Sequence, residues 1–285
     1  MSSESNGRKP DSQEPGPPSG TSSRVSARAP SAWGATRDAL AAVHNLDALL
    51  RSDSVRHRTI LDLLPELRAG AGVLRDAFER ASAGTELAGR AARDVGDYGG
   101  DRAVELARLL DATAAADDDR EALAGRARTL ACELEAAADL LALLERAADP
   151  APTDVDVDRV VRETLRLSGT RRGDELAVCF DEASPDCTLH ADPYVVGPLL
   201  TLLIASVHAG GVGDVAVRAR CTDDRATFLI EAAAAGDTSC PRLAMQVLPA
   251  VPPTGVVAAR VAEQLGATLE LAPHRGSLTL PCAAG

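Results

Sequence analysis

The chain has 285 residues and a formal net charge of -12, with 42 Asp and Glu against 30 Lys and Arg. This acidity argues against binding to nucleic acid or to an anionic membrane, because affinity for either depends on neutralising phosphates with cationic side chains. Lys9 is the only lysine, which excludes a catalytic lysine or a Walker-type phosphate-binding lysine from the rest of the chain.

Residues 1–31 are dense in Ser, Pro, Gly and charged residues, and they predict a disordered tail. Residues 32–149 carry Ala and Leu at helical spacing among Arg, Glu and Asp. Breaks at residues 51–54, 83–85 and 116–119 divide this region into four predicted helices, the last at residues 118–147. Pro65 predicts a kinked or divided second helix, and Gly99 and Gly100 predict a weakened third helix.

After Pro152 the signals for helices and strands alternate. Predicted helices span residues 153–167, 192–210 and 254–266, the last with Gly266 at its C-cap, and predicted strands span residues 175–182, 214–221, 226–234, 267–273 and 276–282. The fold class is therefore predicted as α+β. An N-terminal region that forms a four-helix bundle would be followed by an α/β sandwich with helices on one face of a mixed sheet.

Six cysteines are scattered along the chain without a C-x-x-C pair or a Cys/His cluster, so we expect no zinc site. The N-terminus has no apolar signal region, and the longest apolar run, residues 195–207, is interrupted by Gly197, Pro198 and Thr201. We therefore predict a cytoplasmic protein with reduced cysteines and no contact with a membrane.

Several segments of the second half stand in the order and spacing of a known module: Asp192-Pro193, LLTLLIASVHAG, FLIEAAAAGD, PTGVVAARVAEQLG and SLTLP. The succession resembles the dimerising helical hairpin and the GHKL-type ATP-binding (HATPase) domain of sensor histidine kinases, from about residue 85 to the C-terminus. The resemblance implies a helical dimerisation region at residues 32–149, with the kinase-like hairpin at about 85–148. It also implies a degenerate HATPase-like domain at residues 153–285, a place in two-component signal transduction, and a homodimer formed through the helical region.

The residues that bind Mg-ATP in that family can be followed one position at a time. The two asparagines of the N box fall on Thr201 and Ala205, and alanine has no oxygen with which to coordinate Mg²⁺. No asparagine follows Asn45, so a shifted alignment cannot restore the ligand.

The glycine-rich loops show the same losses. The adenine-binding Asp-x-Gly-x-Gly loop falls on Ala232, Ala234 and Gly236, so a methyl group replaces the carboxylate that would bind adenine. The phosphate-binding turn falls on Pro253 and Gly255, and proline removes a backbone donor from a helix N-terminus. We predict that ATP and Mg²⁺ binding is lost; the alternative is that both still bind in an altered pocket.

The phosphorylated histidine of the family falls on Arg93, whose guanidinium cannot accept a phosphoryl group. His44 and His57 are the other candidate phospho-acceptors, with His44 the better match, although a solvated helix position is the simpler interpretation of both. His190 and His208 flank the predicted nucleotide helix, and no set of metal ligands accompanies them.

These losses favour a non-catalytic pseudokinase, a dimeric regulatory or scaffold protein whose partner is a histidine kinase or a response regulator. One alternative is a histidine phosphotransferase that relays phosphate without binding ATP. Another is an active ATP-dependent histidine kinase with unusual ligands, which would need substitutes for the Mg²⁺, adenine and phosphate contacts together.

Overall fold

The computed structural model describes residues 32–52, 57–83, 89–115, 120–168, 174–181, 187–210, 214–222, 224–232 and 242–282. The tail predicted at residues 1–31 lies outside these ranges. The described residues form helices followed by a mixed helix and sheet region, so the α+β class predicted from the sequence agrees with the structure.

The first four helices are α1 (Ala32–Arg51), α2 (His57–Ala83), α3 (Gly89–Ala115) and α4 (Arg120–Ala148). Each packs against the next, and α1 packs against α4, so four helices joined by short connections close a bundle within one chain. Each helix buries an apolar stripe, as α1 does with Leu40, Val43, Leu46 and Leu50. The four predicted helices are therefore confirmed.

Helices α2 and α3 continue past the residues that predicted a break. Pro65 lies inside α2, so the predicted division of that helix is wrong. Gly99 lies inside α3, where a Cβ atom would overlap the ring of Phe78, and a Cβ at Gly96 would overlap the backbone of Ser82. The weakening of α3 predicted from the low helix propensity of glycine, about 1 kcal/mol, stays a prediction.

The second part begins with β1 (Thr153–Asp156), which pairs antiparallel with β3 (Thr188–Ala191) in a small sheet. The predicted helix at residues 153–167 therefore starts four residues late, as α5 (Val157–Ser168). Asp156 caps this helix, because its Oδ1 accepts a hydrogen bond from the Arg159 backbone N–H at 2.7 Å. Pairing with β3 takes the preceding residues out of the helix.

The main sheet contains β2 (Asp174–Asp181), β4 (Val215–Cys221), β5 (Arg225–Ala232), β6 (Arg242–Val247), β7 (Thr268–Ala272) and β8 (Arg275–Pro281). Its order is β6-β2-β4-β5-β8-β7, with β2 and β4 parallel and the other pairs antiparallel. The β4–β5 and β7–β8 hairpins match the predicted strand pairs. Strands β3 and β6 were not predicted, since each is too short or too irregular in its apolar pattern to stand out.

Helices α5, α6 (Pro193–Gly210) and α7 (Thr254–Gln264) pack against the sheet. In β5 alternate residues Ala226, Phe228 and Ile230 are buried, which marks the helix-covered face. Gly266, at φ +64°, follows the C-cap residue Leu265 and ends α7 near the predicted position.

Among the described residues α6 is the helix long and apolar enough to cross a membrane, although nine of its residues are buried in this fold as in a core helix. Helix α4 packs against both α6 and α7. Buried apolar side chains of the bundle and of the sheet region belong to one connected core.

Cys187, just before β3, and Cys221, at the end of β4, form a disulfide with their Cα atoms 6.0 Å apart. The expectation that every cysteine is reduced is therefore wrong for this pair. The two residues are 34 positions apart in sequence and belong to the small sheet region and the main sheet respectively, so no short-range pattern pairs them. Among the described residues, Cys132 and Cys282 take part in no disulfide.

Candidate functional site

Helix α6 carries the two positions that the resemblance assigns to Mg²⁺ coordination. Thr201 is half-buried, and its hydroxyl donates a hydrogen bond to the Gly197 carbonyl of the same helix at 3.2 Å. Ala205 is 5% exposed and presents a methyl group. A divalent cation prefers carboxylate, carbonyl or water oxygen, and Ala205 supplies none of these from its side chain.

The strand and helix beside α6 carry the remaining nucleotide positions. Ala232 is the last residue of β5, lies opposite Val215 of β4, and donates its backbone N–H to the His274 carbonyl at 3.1 Å. Its backbone is therefore part of the sheet, and its side chain has no acceptor for an adenine amino group. Ala234 and Gly236 lie outside the described residues.

The turn before α7 is closed by its own hydrogen bonds. The Thr254 hydroxyl accepts the Val251 N–H at 3.1 Å, and the Thr254 N–H donates to the Val251 carbonyl at 2.9 Å. Pro253 is buried and has no N–H, whereas Gly255 is half-buried in the first turn. Of the donors that would form a phosphate cradle here, Pro253 offers none and that of Thr254 is already engaged.

The candidate phospho-acceptors lie in the helical bundle. His44 Nε2 is 2.8 Å from Glu135 Oε2 across α1 and α4, and the His44 side chain is 10% exposed. Arg93 is exposed on α3. His57 is the first residue of α2, and its side chain lies outside the described part. A phosphoryl donor could reach His44 Nε2 only if Glu135 and the α1–α4 contact gave way.

Two further histidines, His190 and His208, lie on or beside α6. His190 Nδ1 is 2.7 Å from Asp154 Oδ1, across the small sheet. His208 is in the last turn of α6, with its Nδ1 buried and without a hydrogen-bond partner among the described residues. No group of three or more His, Cys, Asp or Glu that could hold a metal occurs in the part of the chain that the structure describes.

The start of α6 carries a buried network of charged groups and hydrogen bonds centred on Asp192. The Asp192 side chain is fully buried, and its Oδ2 accepts the Arg146 Nε–H at 2.7 Å and the Ala151 N–H at 2.9 Å. Its Oδ1 accepts the Tyr194 N–H at 2.9 Å, which caps α6. One carboxylate thus joins the end of α4, the connection after it and the start of α6.

Burial of Asp192 disfavours its charged form, but this effect is outweighed by the hydrogen bonds from Ala151, Arg146 and Tyr194 and by the positive charge of Arg146. The pKa of Asp192 is therefore lowered. The carboxylate stays ionised at neutral pH, as a buried group with three donors must.

A groove runs along the N-terminal half of α6. One cavity of about 380 Å³ lies between β1, α5 and α6, and a second of about 180 Å³ lies between α4 and α6. Tyr194, Pro198 and Thr201 line both cavities. Of the predicted nucleotide positions that the structure describes, Thr201 lines this groove, and Ala205, Ala232, Pro253 and Gly255 line neither cavity.

Sequence reasoning placed Asp192 only as the residue that opens the nucleotide helix, and it missed Arg146 and Tyr194. Asp-Pro before an apolar run signals a helix cap, which is a correct but local inference. Arg146 lies 46 residues before its partner Asp192, and no short-range pattern connects the two.

Comparison with solved structures shows similarity to histidine kinases. Acinetobacter baumannii histidine kinase AdeS matches with a TM-score of 0.41 and 12% identity, over 65% of this chain and 95% of that one. Histidine kinase ThkA, solved in complex with the response regulator protein TrrA, matches with a TM-score of 0.42 and 13% identity, over 80% of this chain and 65% of that one. Full-length ShkA, solved with AMPPNP, matches with a TM-score of 0.37 and 16% identity, over 81% of this chain and 47% of that one.

This chain therefore spans less than two thirds of ThkA and less than half of ShkA. No protein-family model and no curated protein matches the sequence. With TM-scores below 0.5 and identities of 12–16%, these similarities establish neither the family of this chain nor the role of any of its residues.

Proposed function

We propose that this chain is a non-catalytic, histidine-kinase-like signalling protein that acts by binding a histidine kinase or a response regulator. The observation that carries the proposal is Ala205, a buried methyl group at the position where the kinase resemblance requires a Mg²⁺ ligand. Ala232 and Pro253 support it, because one lacks an adenine acceptor and the other lacks a phosphate-binding N–H.

A binding role fits the way the two parts are joined. Asp192 connects α4, the following segment and α6 through three hydrogen bonds, and α4 packs on α6 and α7. A kinase domain that phosphorylates a histidine must move relative to the helix that carries that histidine. A fixed junction suits a protein that presents one surface to a partner.

The homodimer implied by the resemblance stays a prediction. Four helices already close a bundle within one chain, so a second copy is not needed to bury their apolar stripes. A homodimer would have to use the outer face of the bundle, where Leu61, Val73 and Val104 are exposed on α2 and α3. Light scattering on the eluting protein measures whether the mass is 29.5 kDa or twice that value.

Isothermal titration with Mg-ATP tests the central proposal. We expect no saturable heat from the wild type, while an active histidine kinase titrated in the same buffer gives a normal isotherm. The informative variant introduces the residues expected from the kinase resemblance at four positions together. The substitutions are Thr201→Asn, Ala205→Asn, Ala232→Asp and Pro253→Gly. Saturable binding by the wild type would overturn the proposal, and binding only by the restored variant would support it directly.

The phosphotransferase alternative depends on His44, whose pairing with Glu135 at 2.8 Å is the one observation that favours it. A carboxylate beside an imidazole can orient it and stabilise the cation that forms during phosphoryl transfer. The test supplies a phosphorylated response regulator and looks for acid-labile phosphate on the wild type, on His44→Gln and on Glu135→Gln. Label lost only in His44→Gln and reduced in Glu135→Gln would favour a relay. No label on the wild type would leave the binding role.

A further inference from the structure

The groove along α6, or α6 groove, has two lobes on either side of Tyr194, Pro198 and Thr201, one bounded by β1 and α5 and the other by α4. The larger lobe has a volume of about 380 Å³ and the smaller about 180 Å³. Volumes of this size accept side chains, and both lobes are open to solvent.

An aromatic ring stands between the two lobes. Tyr194 is 72% exposed, and it is the most exposed of the large apolar or aromatic residues among the described positions. The Arg146 guanidinium lies over its ring at 5.7 Å, and Arg146 is held by the buried Asp192. The ring is therefore positioned before any ligand arrives, which is how aromatic anchors at protein interfaces reduce the entropy lost on binding.

Pro198 also removes one regular helical hydrogen bond beside the groove. Pro198 lies inside α6 and has no N–H, so the carbonyl of Tyr194 has no donor at the i+4 position of its own helix. Both residues line both lobes. A backbone carbonyl freed in this way at a groove can accept an N–H from an extended peptide or from a cationic side chain.

The charges of the groove favour a basic ligand. Asp154 and Glu163 line the larger lobe and Asp139 lines the smaller one. The one guanidinium among the lining residues, Arg159, pairs with Glu163 at 3.0 Å. Acidic groups therefore exceed basic ones in the groove. The net charge of the whole chain is -12, so a cationic segment is attracted by the chain at long range and by the groove at short range.

We propose that the α6 groove docks an extended segment of a partner protein in which an apolar side chain is flanked by arginine or lysine. The apolar side chain enters one lobe against Tyr194 and Pro198, and the basic side chains meet Asp154 and Glu163 at the larger lobe. The inference rests on the proposed function, since it names the surface through which a binding protein would reach its partner. Nucleic acid is a poor occupant, because the same carboxylates would repel its phosphates.

Selection from a random peptide library displayed on phage, with the full chain immobilised and no nucleotide present, tests the proposal. We expect enriched peptides with Arg or Lys beside Leu, Met or an aromatic residue. The strongest peptide is then labelled and titrated by fluorescence polarisation. Tyr194→Ala should weaken its binding at least tenfold, and Asp154→Asn with Glu163→Gln should weaken it severalfold and reduce its salt dependence.

Two further variants keep the result interpretable. Ala142 is exposed on α4 and lines the smaller lobe, so Ala142→Trp should fill that lobe without disturbing the core and should also weaken binding. Val256→Ala removes another exposed apolar side chain, on α7 and outside the groove, and should change nothing. Enrichment of acidic peptides, no enrichment, or binding unchanged in both Tyr194→Ala and Ala142→Trp would overturn the proposal. The calorimetric result with Mg-ATP is independent of these outcomes.

Discussion

The two ends of α6 differ sharply in how their polar groups are used. At the start, Asp192 is fully buried and accepts three hydrogen bonds that tie α4, a connecting segment and α6 together. In the C-terminal half, the position that would need a Mg²⁺ ligand holds the methyl group of Ala205, and His208 Nδ1 has no partner among the described residues. The start of the helix is held by hydrogen bonds to neighbouring segments, whereas Ala205 in the C-terminal half offers no side-chain ligand.

The difference indicates which property this helix still needs. A buried carboxylate without its donors would cost several kcal/mol, so the three donors to Asp192 are needed for the junction to form. The buried methyl group of Ala205 needs no partner and offers no oxygen to a cation. The comparison therefore favours a protein that needs α6 as a rigid support, and each variant below changes one end of the helix or its attachment.

The largest effect is expected at the disulfide that anchors the start of β3, the strand that leads into α6. Cys221→Ser opens a loop closed over 34 residues, and loop-closure entropy predicts a loss of about 4 kcal/mol in the free energy of unfolding. Urea unfolding of the oxidised wild type and of the variant measures the difference.

Reductant supplies the control for this prediction. Adding it should lower the stability of the wild type toward that of Cys221→Ser and should leave the variant unchanged. Cys282→Ser, at a free and partly exposed thiol, should shift stability by less than about 1 kcal/mol. A wild type that keeps its full stability after complete reduction would show that the small sheet needs no anchor.

A smaller loss is expected from Asp192→Asn. The amide keeps the shape but removes the charge and one acceptor oxygen, so at least one of the donors of Arg146, Ala151 and Tyr194 must face an NH₂ group. We expect a loss of about 2–3 kcal/mol in unfolding free energy. Asp154→Asn is the matched control, since its carboxylate is 68% exposed beside His190, and it should cost less than about 1 kcal/mol. Equal effects of the two variants would remove the distinction between the ends of α6.

Acid should reproduce part of that loss in the wild type. The pKa of Asp192 is lower in the folded than in the unfolded chain, so its contribution is present above the unfolded pKa, about 4. The contribution is lost as the pH falls through the lowered folded pKa. The stability difference between wild type and Asp192→Asn should therefore shrink below about pH 4. Urea unfolding from pH 7 to pH 2.5 measures it, and a constant difference would mean that the carboxylate does not depend on its charge.

Much of the fold followed from local signals. Pauses in the apolar stripe and proline at its end located the four helices, and strand alternation with Gly266 located the β7–β8 pair and the end of α7. What was missed depends on distant contacts. The sequence of β1 continues a helical pattern, and only its pairing with β3 makes it a strand. The glycine at residue 99 weakens a helix in isolation, and only Phe78 gives it a packing role.

The site divides in the same way. The absence of asparagine after residue 45 is visible without any coordinates, whereas the assignment of a Mg²⁺ position to Ala205 came from the resemblance and stays a prediction. A groove and a junction exist only when elements meet. Asp154 and Glu163 come from β1 and α5, Tyr194 from α6 and Asp139 from α4, and the spacing of these residues in the chain gives no hint that they border one surface.

The smallest effect is expected at the C-terminal half of α6. Ala205→Asn places an amide where the side chain is 5% exposed, and we expect a loss of about 1–2 kcal/mol in unfolding free energy from its incomplete hydrogen bonding. Calorimetry should still show no saturable Mg-ATP binding, because Ala232 and Pro253 remain unable to bind adenine and phosphate. Restoring one ligand should therefore cost stability and return no function.

Ala209→Asn makes the same change one turn later on the exposed side of α6 and should cost only the difference in helix propensity, at most about 0.7 kcal/mol. The contrast between residues 205 and 209 separates burial of the amide from its effect on the helix. If Ala205→Asn bound Mg-ATP, or stabilised the protein when Mg-ATP was added, the C-terminal half of α6 would be one substitution from a working site. A single residue, Ala205, would then account for the lack of Mg-ATP binding. The contrast between the two ends of α6 would no longer support a purely binding role.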